Sequence, residues 1–143
     1  MIYRSVSTGR WLLIALLVLN RGSVDAEWKE VERSDVVPGL QTVYVDPETV
    51  QREGSLVTLW QLTDYKWRQG DMIGSRRFLS TKTRKQFDCA EKRVRLLAFT
   101  DFLGHMGTGT PADGYVSHAW FSVQPESLDQ ALWELACGKE RSF

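Results

Sequence analysis

The chain contains two cysteines, Cys89 and Cys137, and they lie downstream of an apolar leader. Together these features constrain the fold more than any other. The leader places Arg4 and Arg10 before the unbroken apolar run Trp11 to Leu19, then closes on Val24-Asp25-Ala26, with small residues where a signal peptidase requires them. Cleavage is expected between Ala26 and Glu27. The apolar run is shorter than the about 20 residues a helix needs to cross a bilayer, so no transmembrane anchor is expected after cleavage. Export to an oxidising compartment makes the even thiol pair a structural disulfide, with intermolecular pairing as the alternative. A redox role is disfavoured because no C-x-x-C spacing occurs. Closing a loop of this length removes about 4 kcal/mol of chain entropy from the unfolded state.

Residues 27–143 suffice for one domain with a real core and leave no room for a second. Repeats, low-complexity runs and Pro-rich linkers are absent. The whole chain balances 18 basic against 18 acidic residues, and loss of the leader leaves it slightly acidic. Such a chain lacks the broad positive field that drives nucleic-acid binding.

The pattern predicts a mainly β (α+β) protein, an antiparallel sheet with a C-terminal helix. Short strands are expected over 28–31 and 42–45. Asp46-Pro47-Glu48 reads as a single helical turn capped by Asp46, with Pro47 in first position. A long strand over 55–67 and a partner over 76–89 follow, joined by a loop containing Gly70 and Gly74. On the partner, Leu79, Phe87 and Cys89 share one face and Lys82, Arg84, Gln86 and Asp88 the other, which is expected to be wet. Further strands are expected over 94–103 and 119–123. Leu56, Trp60 and Leu62 oppose Val57, Leu59 and Tyr65, and Leu97 and Phe99 oppose Leu96 and Phe102, so these strands need cover on both faces. Ser127 and Gln130 form a capping-box start for a helix with the stripe Leu128, Ala131, Leu132, Leu135 and Ala136, ended by Gly138. Cys137 falls in the last turn of that helix, so a bond to Cys89 would staple the helix to the end of the 76–89 strand. Any apolar surface it leaves open predicts a second sheet layer or a homodimer.

No arrangement of residues announces catalysis. The run Gly104-His105-Met106-Gly107-Thr108-Gly109-Thr110 satisfies neither phosphate-loop pattern and reads as a connection between strands. His105 and His118 are too few for a zinc site once both cysteines are paired. Ser127, His118 and Asp101 could form a triad only on paper, since Ser127 already caps a helix and no G-x-S-x-G elbow occurs. No catalytic residue, metal or cofactor is therefore expected. Arg76, Arg77, Lys82, Arg84, Lys85, Lys92, Arg93 and Arg95 concentrate positive charge in one hairpin region. Beside the default reading of a solvated face, this suggests docking of sulfated glycans or acidic protein segments, gripped by guanidinium forks. Trp67, at a strand end before a polar loop, is the indole expected to join such a surface. The candidate partner-binding residues are Arg76, Arg77, Lys82, Arg84, Lys85 and Trp67.

Between about Thr42 and Cys137 the chain resembles the surface-adhesin protein E family of small exported bacterial proteins. The resemblance rests on Val43-Tyr44-Val45-Asp46-Pro47, on Val57-Thr58-Leu59-Trp60 leading to Asp64-Tyr65-Lys66, and on Phe87-Asp88-Cys89-Ala90-Glu91-Lys92-Arg93 running to Arg95. It continues through Met106-Gly107-Thr108-Gly109, Trp120 and Pro125-Glu126-Ser127 to the closing helix. The resemblance implies a helix tied back through the two cysteines, a tendency to dimerise, and non-enzymatic adhesion to host extracellular-matrix proteins. In this family surface display can use a lipid-anchored cysteine at the mature N-terminus, and Val24-Asp25-Ala26-Glu27 supplies none. The alternative to an adhesin is a soluble periplasmic module with a bacterial partner or small ligand.

Overall fold

The computed structural model describes residues 27–34, 40–70 and 77–138. Their strands form a single antiparallel sheet: β1 (Lys29–Ser34), β2 (Gln41–Val45), β3 (Gln51–Glu53), β4 (Leu56–Gln69), β5 (Phe78–Asp88), β6 (Arg93–Phe102), β7 (Pro111–Asp113) and β8 (Phe121–Ser122). The spatial order is β1-β2-β4-β5-β6-β7, with β3 also pairing to β4 and β8 to β6. One helix, α1 (Leu128–Cys137), closes the described chain. Ala26, and with it the expected cleavage point, lies outside the described residues, as do Arg76 and Gly74.

Local chemistry explains the turns. Asp46 accepts the Glu48 N–H at 3.0 Å and opens a 3-10 turn over Pro47–Thr49 whose first position proline suits. Gly54, at φ +60°, lets β3 fold back onto β4. Ser127 starts α1 by accepting the Gln130 N–H at 3.1 Å. Only half of the expected capping box forms, because the Gln130 side chain donates to Glu134 instead, at 2.8 Å.

One face of the sheet carries the main core. Val45, Val57, Leu59, Phe87 and Val94 pack with Val123 and with Leu132 and Ala136 of α1, while Leu128, Leu135, Trp133 and Cys137 flank them. The predicted helix stripe is thus the docked face. Four ties fasten the helix. Cys89 and Cys137 form the disulfide, with Cα atoms 5.5 Å apart. The Trp133 indole donates to the Asp88 carbonyl at 3.1 Å. Arg52 donates to the Ala136 carbonyl at 2.6 Å, satisfying a helix-end acceptor. Lys85 meets Asp129 at 2.7 Å.

Two expectations about faces are corrected. Between β5 and β6 the register shifts so that Arg84 pairs with Ala98 but Lys85 with Leu96, leaving Leu97 as a bulge. A bulge reverses the alternation beyond it. Leu96 therefore shares the helix-side face with Phe99, and Phe102 falls on the opposite face with Ser80. The charged face of β5 is not wholly wet either. Asp88 is buried in the turn that follows, and Lys85 lies buried on the Phe87 side under α1.

The opposite face is covered by curvature, and the described strands supply no second layer. Lys82 of β5 reaches to 5.9 Å from the ring of Trp28, which lies just before β1 and three strand spacings away. Adjacent strands are about 4.8 Å apart, and the curl of the sheet brings these two side chains together over that span. Leu62 is fully buried on this face. The glycine-rich connection between β6 and β7 also folds over it: Ser80 donates to the Gly104 carbonyl at 2.6 Å and accepts the Gly107 N–H at 2.9 Å, and Asp64 accepts the Met106 N–H at 2.7 Å.

Since the disulfide fixes α1 over the core, reduction is expected to lower the melting midpoint by roughly 10 °C. Differential scanning calorimetry with and without reductant, and on Cys89→Ala/Cys137→Ala, measures this. An unchanged midpoint would contradict the stapling role.

Candidate binding surface

The predicted partner-binding residues do not form one surface. Trp67 is 58% exposed at the end of β4. Lys66 and Arg68 beside it are exposed, as is Arg77 at the adjoining start of β5. The Lys66 ammonium lies 5.4 Å from the Trp67 ring centroid. Arg76 falls outside the described residues. Lys85 is committed to Asp129 beneath the helix, and Lys82 points into the curled face. Arg84, on the curled face of β5, belongs with a second basic cluster.

That second cluster centres on Trp120. The guanidinium carbons of Arg93 and Arg95 each lie 4.4 Å from its ring centroid. Arg93 also pairs with Asp88 at 3.0 Å, and Arg95 donates to Gln86 at 2.8 Å. Arg84, Gln86 and Asp88 alternate along one face of β5, and Arg95 and Arg93 pair opposite the last two. The sequence showed the charge in this region, but the stacking on Trp120 depends on a contact across 25 or more residues with no local signal.

Asp88 is the electrostatic hinge of this end. Burial alone would raise its carboxyl. The Glu91 N–H, the Arg93 guanidinium and the Ala90 N–H outweigh that cost, and hold it below the ordinary value of 3.8. Tyr65, by contrast, is pushed above its ordinary value, mainly by burial; a hydrogen bond with Thr81 offsets part of this and the charge of Asp101 adds to it.

Cavities open on the surface among the described residues, two of them on opposite faces of the sheet. One, of about 290 Å³, is lined by Trp28, Asp46, Thr49, Trp60 and Lys82 on the curled face. The other, of about 210 Å³, lies on the helix-side face between Leu96, Phe99 and the segment from Tyr115 to Phe121.

The residues weighed for catalysis are engaged separately. His105 Nδ1 sits 3.2 Å from Asp64, and His118 Nε2 donates to the Leu97 carbonyl at 3.1 Å. Asp101 accepts from Thr81 at 2.7 Å, and Ser127 donates to the Gln124 carbonyl at 2.6 Å. Among the described residues no group of three or more His, Cys, Asp or Glu side chains converges as metal ligands. No helix among them is long and apolar enough to cross a membrane.

The described residues form a small α+β domain, a curled antiparallel sheet with one disulfide-stapled C-terminal helix and two basic-aromatic clusters on its surface. The sequence profile of Surface-adhesin protein E matches residues 28–138, and the chain belongs to that family. Two crystal forms of Haemophilus influenzae protein E superpose with TM-scores of 0.60 and 0.59 at 14% identity, each covering 79% of this chain and respectively 90% and 86% of the other. Protein E from non-typeable Haemophilus influenzae gives 0.55 at 13% identity, covering 79% and 85%. At such identity the likeness establishes the fold. No curated protein matches the sequence.

Because the folded-state pKa of Asp88 is depressed, its contribution to stability is complete above the unfolded value and disappears as pH falls through 3.8 toward the folded value. Asp88→Asn is expected to be less stable than wild type near neutral pH and to lose less stability between about pH 5 and pH 2. Urea melts across that range measure the two slopes, and parallel curves would contradict the assignment.

Proposed function

We propose that this chain is an exported, non-enzymatic adhesin-type module that binds acidic segments or acidic glycans of host extracellular-matrix proteins. The observation that carries this reading is the exposed Trp67 flanked by Lys66, Arg68 and Arg77, a flat apolar group within a ring of cations. Among the described residues none of these three cations has a carboxylate within ion-pair distance. An indole contributes contact area at little entropic cost, and a guanidinium grips carboxylate or sulfate oxygens in pairs. Family membership supports a binding role. On this reading the leader is cleaved between Ala26 and Glu27, and the mature protein reaches the cell surface without a lipid-bearing cysteine. Self-association is assigned to the apolar patch of Leu96, Tyr115 and Phe121, the last two being 90% and 62% exposed. Light scattering of the purified domain checks that point, with a strict monomer counting against it.

Two measurements test the binding reading. An external protease too large to cross the outer membrane should remove the protein from intact cells while sparing a periplasmic control. Survival of the band would favour the periplasmic alternative. Binding to immobilised basement-membrane matrix should saturate, and should weaken when salt rises from about 0.1 M to about 1 M, which shortens the screening length from about 10 Å to about 3 Å. Trp67→Ala and Arg77→Glu are each expected to weaken it by roughly tenfold. Salt-independent binding, or binding unaffected by both substitutions, would contradict the proposed surface.

A further inference from the structure

The cavity on the curled face has a composition that the adhesive tip does not use. Its wall combines two indoles, Trp28 and Trp60, with one ammonium, Lys82, and one carboxylate, Asp46. The two charges do not pair with each other: no carboxylate lies within ion-pair distance of Lys82 among the described residues. Its ammonium is instead held over aromatic rings, 5.9 Å from the Trp28 centroid and 5.4 Å from that of Phe102. Asp46 is only 3% exposed. One of its oxygens accepts the Glu48 N–H, and the other has no hydrogen-bond partner among the described residues.

The lysine is positioned by the loop above it. A Cβ on Gly107 would lie 2.6 Å from Lys82 Cε, so the bare glycine, at φ +69°, provides the channel through which the lysine stem passes. Ser80 fixes that loop by accepting the Gly107 N–H. The ammonium is thus set in place before any ligand arrives, and preorganisation of this kind lowers the entropic cost of binding.

These groups select a ligand by its chemistry. Lys82 calls for an anionic oxygen. The free Asp46 oxygen, accessible from the cavity it lines, can accept from a ligand donor. That donor is better neutral than cationic, because the Lys82 ammonium would repel a second cation in the same cavity. The indoles call for an apolar face carrying positively polarised hydrogens. A carboxylated sugar has all three: a carboxylate, hydroxyl donors and a C–H face. A volume of about 290 Å³ accommodates one such ring.

We propose that the Trp28–Trp60–Lys82–Asp46 cavity is a binding site for a single carboxylated sugar residue of the hexuronate type, with its carboxylate on Lys82, hydroxyls on Asp46 and its ring face on the indoles. This site is separate from the Trp67 tip and goes beyond the adhesive reading.

The test is a titration of the oxidised protein, labelled with ¹⁵N, with sodium D-glucuronate and in parallel with D-glucose at constant ionic strength. Indole N–H signals of Trp28 and Trp60 should shift saturably with glucuronate, while that of Trp133, on the helix side, stays fixed. Glucose, lacking the anion, should bind about tenfold or more weakly, and Lys82→Met should reduce glucuronate binding to the glucose level. The wild-type signals do not depend on the folding of a variant, so they stand even if Lys82→Met proves unstable. Equal binding of glucose and glucuronate would overturn the proposal, as would no saturable shift at Trp28 and Trp60. Shifts confined to Trp67 would also overturn it while leaving the tip reading intact.

Discussion

The corner at Asp88 and Cys89 is the point on which the structure depends. The Asp88 carboxylate ties the turn after β5, its carbonyl receives the Trp133 indole, and Cys89 is bonded to the last turn of the helix. Lys92, at φ 49°, completes the turn and places its ammonium 5.3 Å from the Trp133 ring. These contacts hold a ten-residue helix that is too short to persist in water by itself. Docked, it covers Val57, Leu59 and Phe87, the apolar stretch of the β4–β5 hairpin, and supplies Leu132 and Ala136 to the core. Without it that face would be open and the hairpin would lose its main cover.

Covering one face with the helix leaves the other to be closed by curvature. The sheet bends until Trp28 and Lys82 meet, and the loop carrying Gly107 is laid over β4 and β5 through Asp64 and Ser80. The result is a domain with two chemically different sides. The face opposite the helix carries arginines stacked on Trp120, and the end of β4 carries an exposed tryptophan beside cations. The curled side presents a small open recess lined by indole surface and by one charge of each sign. Both follow from a sheet whose strands are apolar on two faces and which, among the described residues, has one helix to cover them.

The parts of this architecture governed by short-range chemistry were legible in the sequence. Asp46 and Pro47 announce their turn, Ser127 its helix, and the stripe through Leu132 and Ala136 the docked face. The cysteine pair, read with the leader, indicated the staple. What escaped reading depends on partners far apart in sequence. The bulge at Leu97 has no local marker, yet it turns Phe99 and Phe102 to faces opposite to those expected. Strands β3 and β7, three residues each, are too short for an alternation to show. The basic residues illustrate the same limit: their number in the β5–β6 region was plain, but the separation of exposed Arg77, ion-paired Lys85 and aromatic-held Lys82 follows from tertiary packing alone. The half-formed capping box is a local exception: the Gln130 amide turns to donate one helical turn on, to Glu134, and its oxygen has no partner among the described residues.

Native-state hydrogen exchange on the oxidised domain tests most directly whether helix and hairpin form one unit through the Asp88–Cys89 corner. Amides of α1 and of the Val57–Leu62 and Thr83–Phe87 stretches should share one opening free energy, and reduction of the disulfide should lower the protection of all three together. Helix amides that exchange far faster than the hairpin in the oxidised protein, or protection that reduction leaves untouched, would contradict the account.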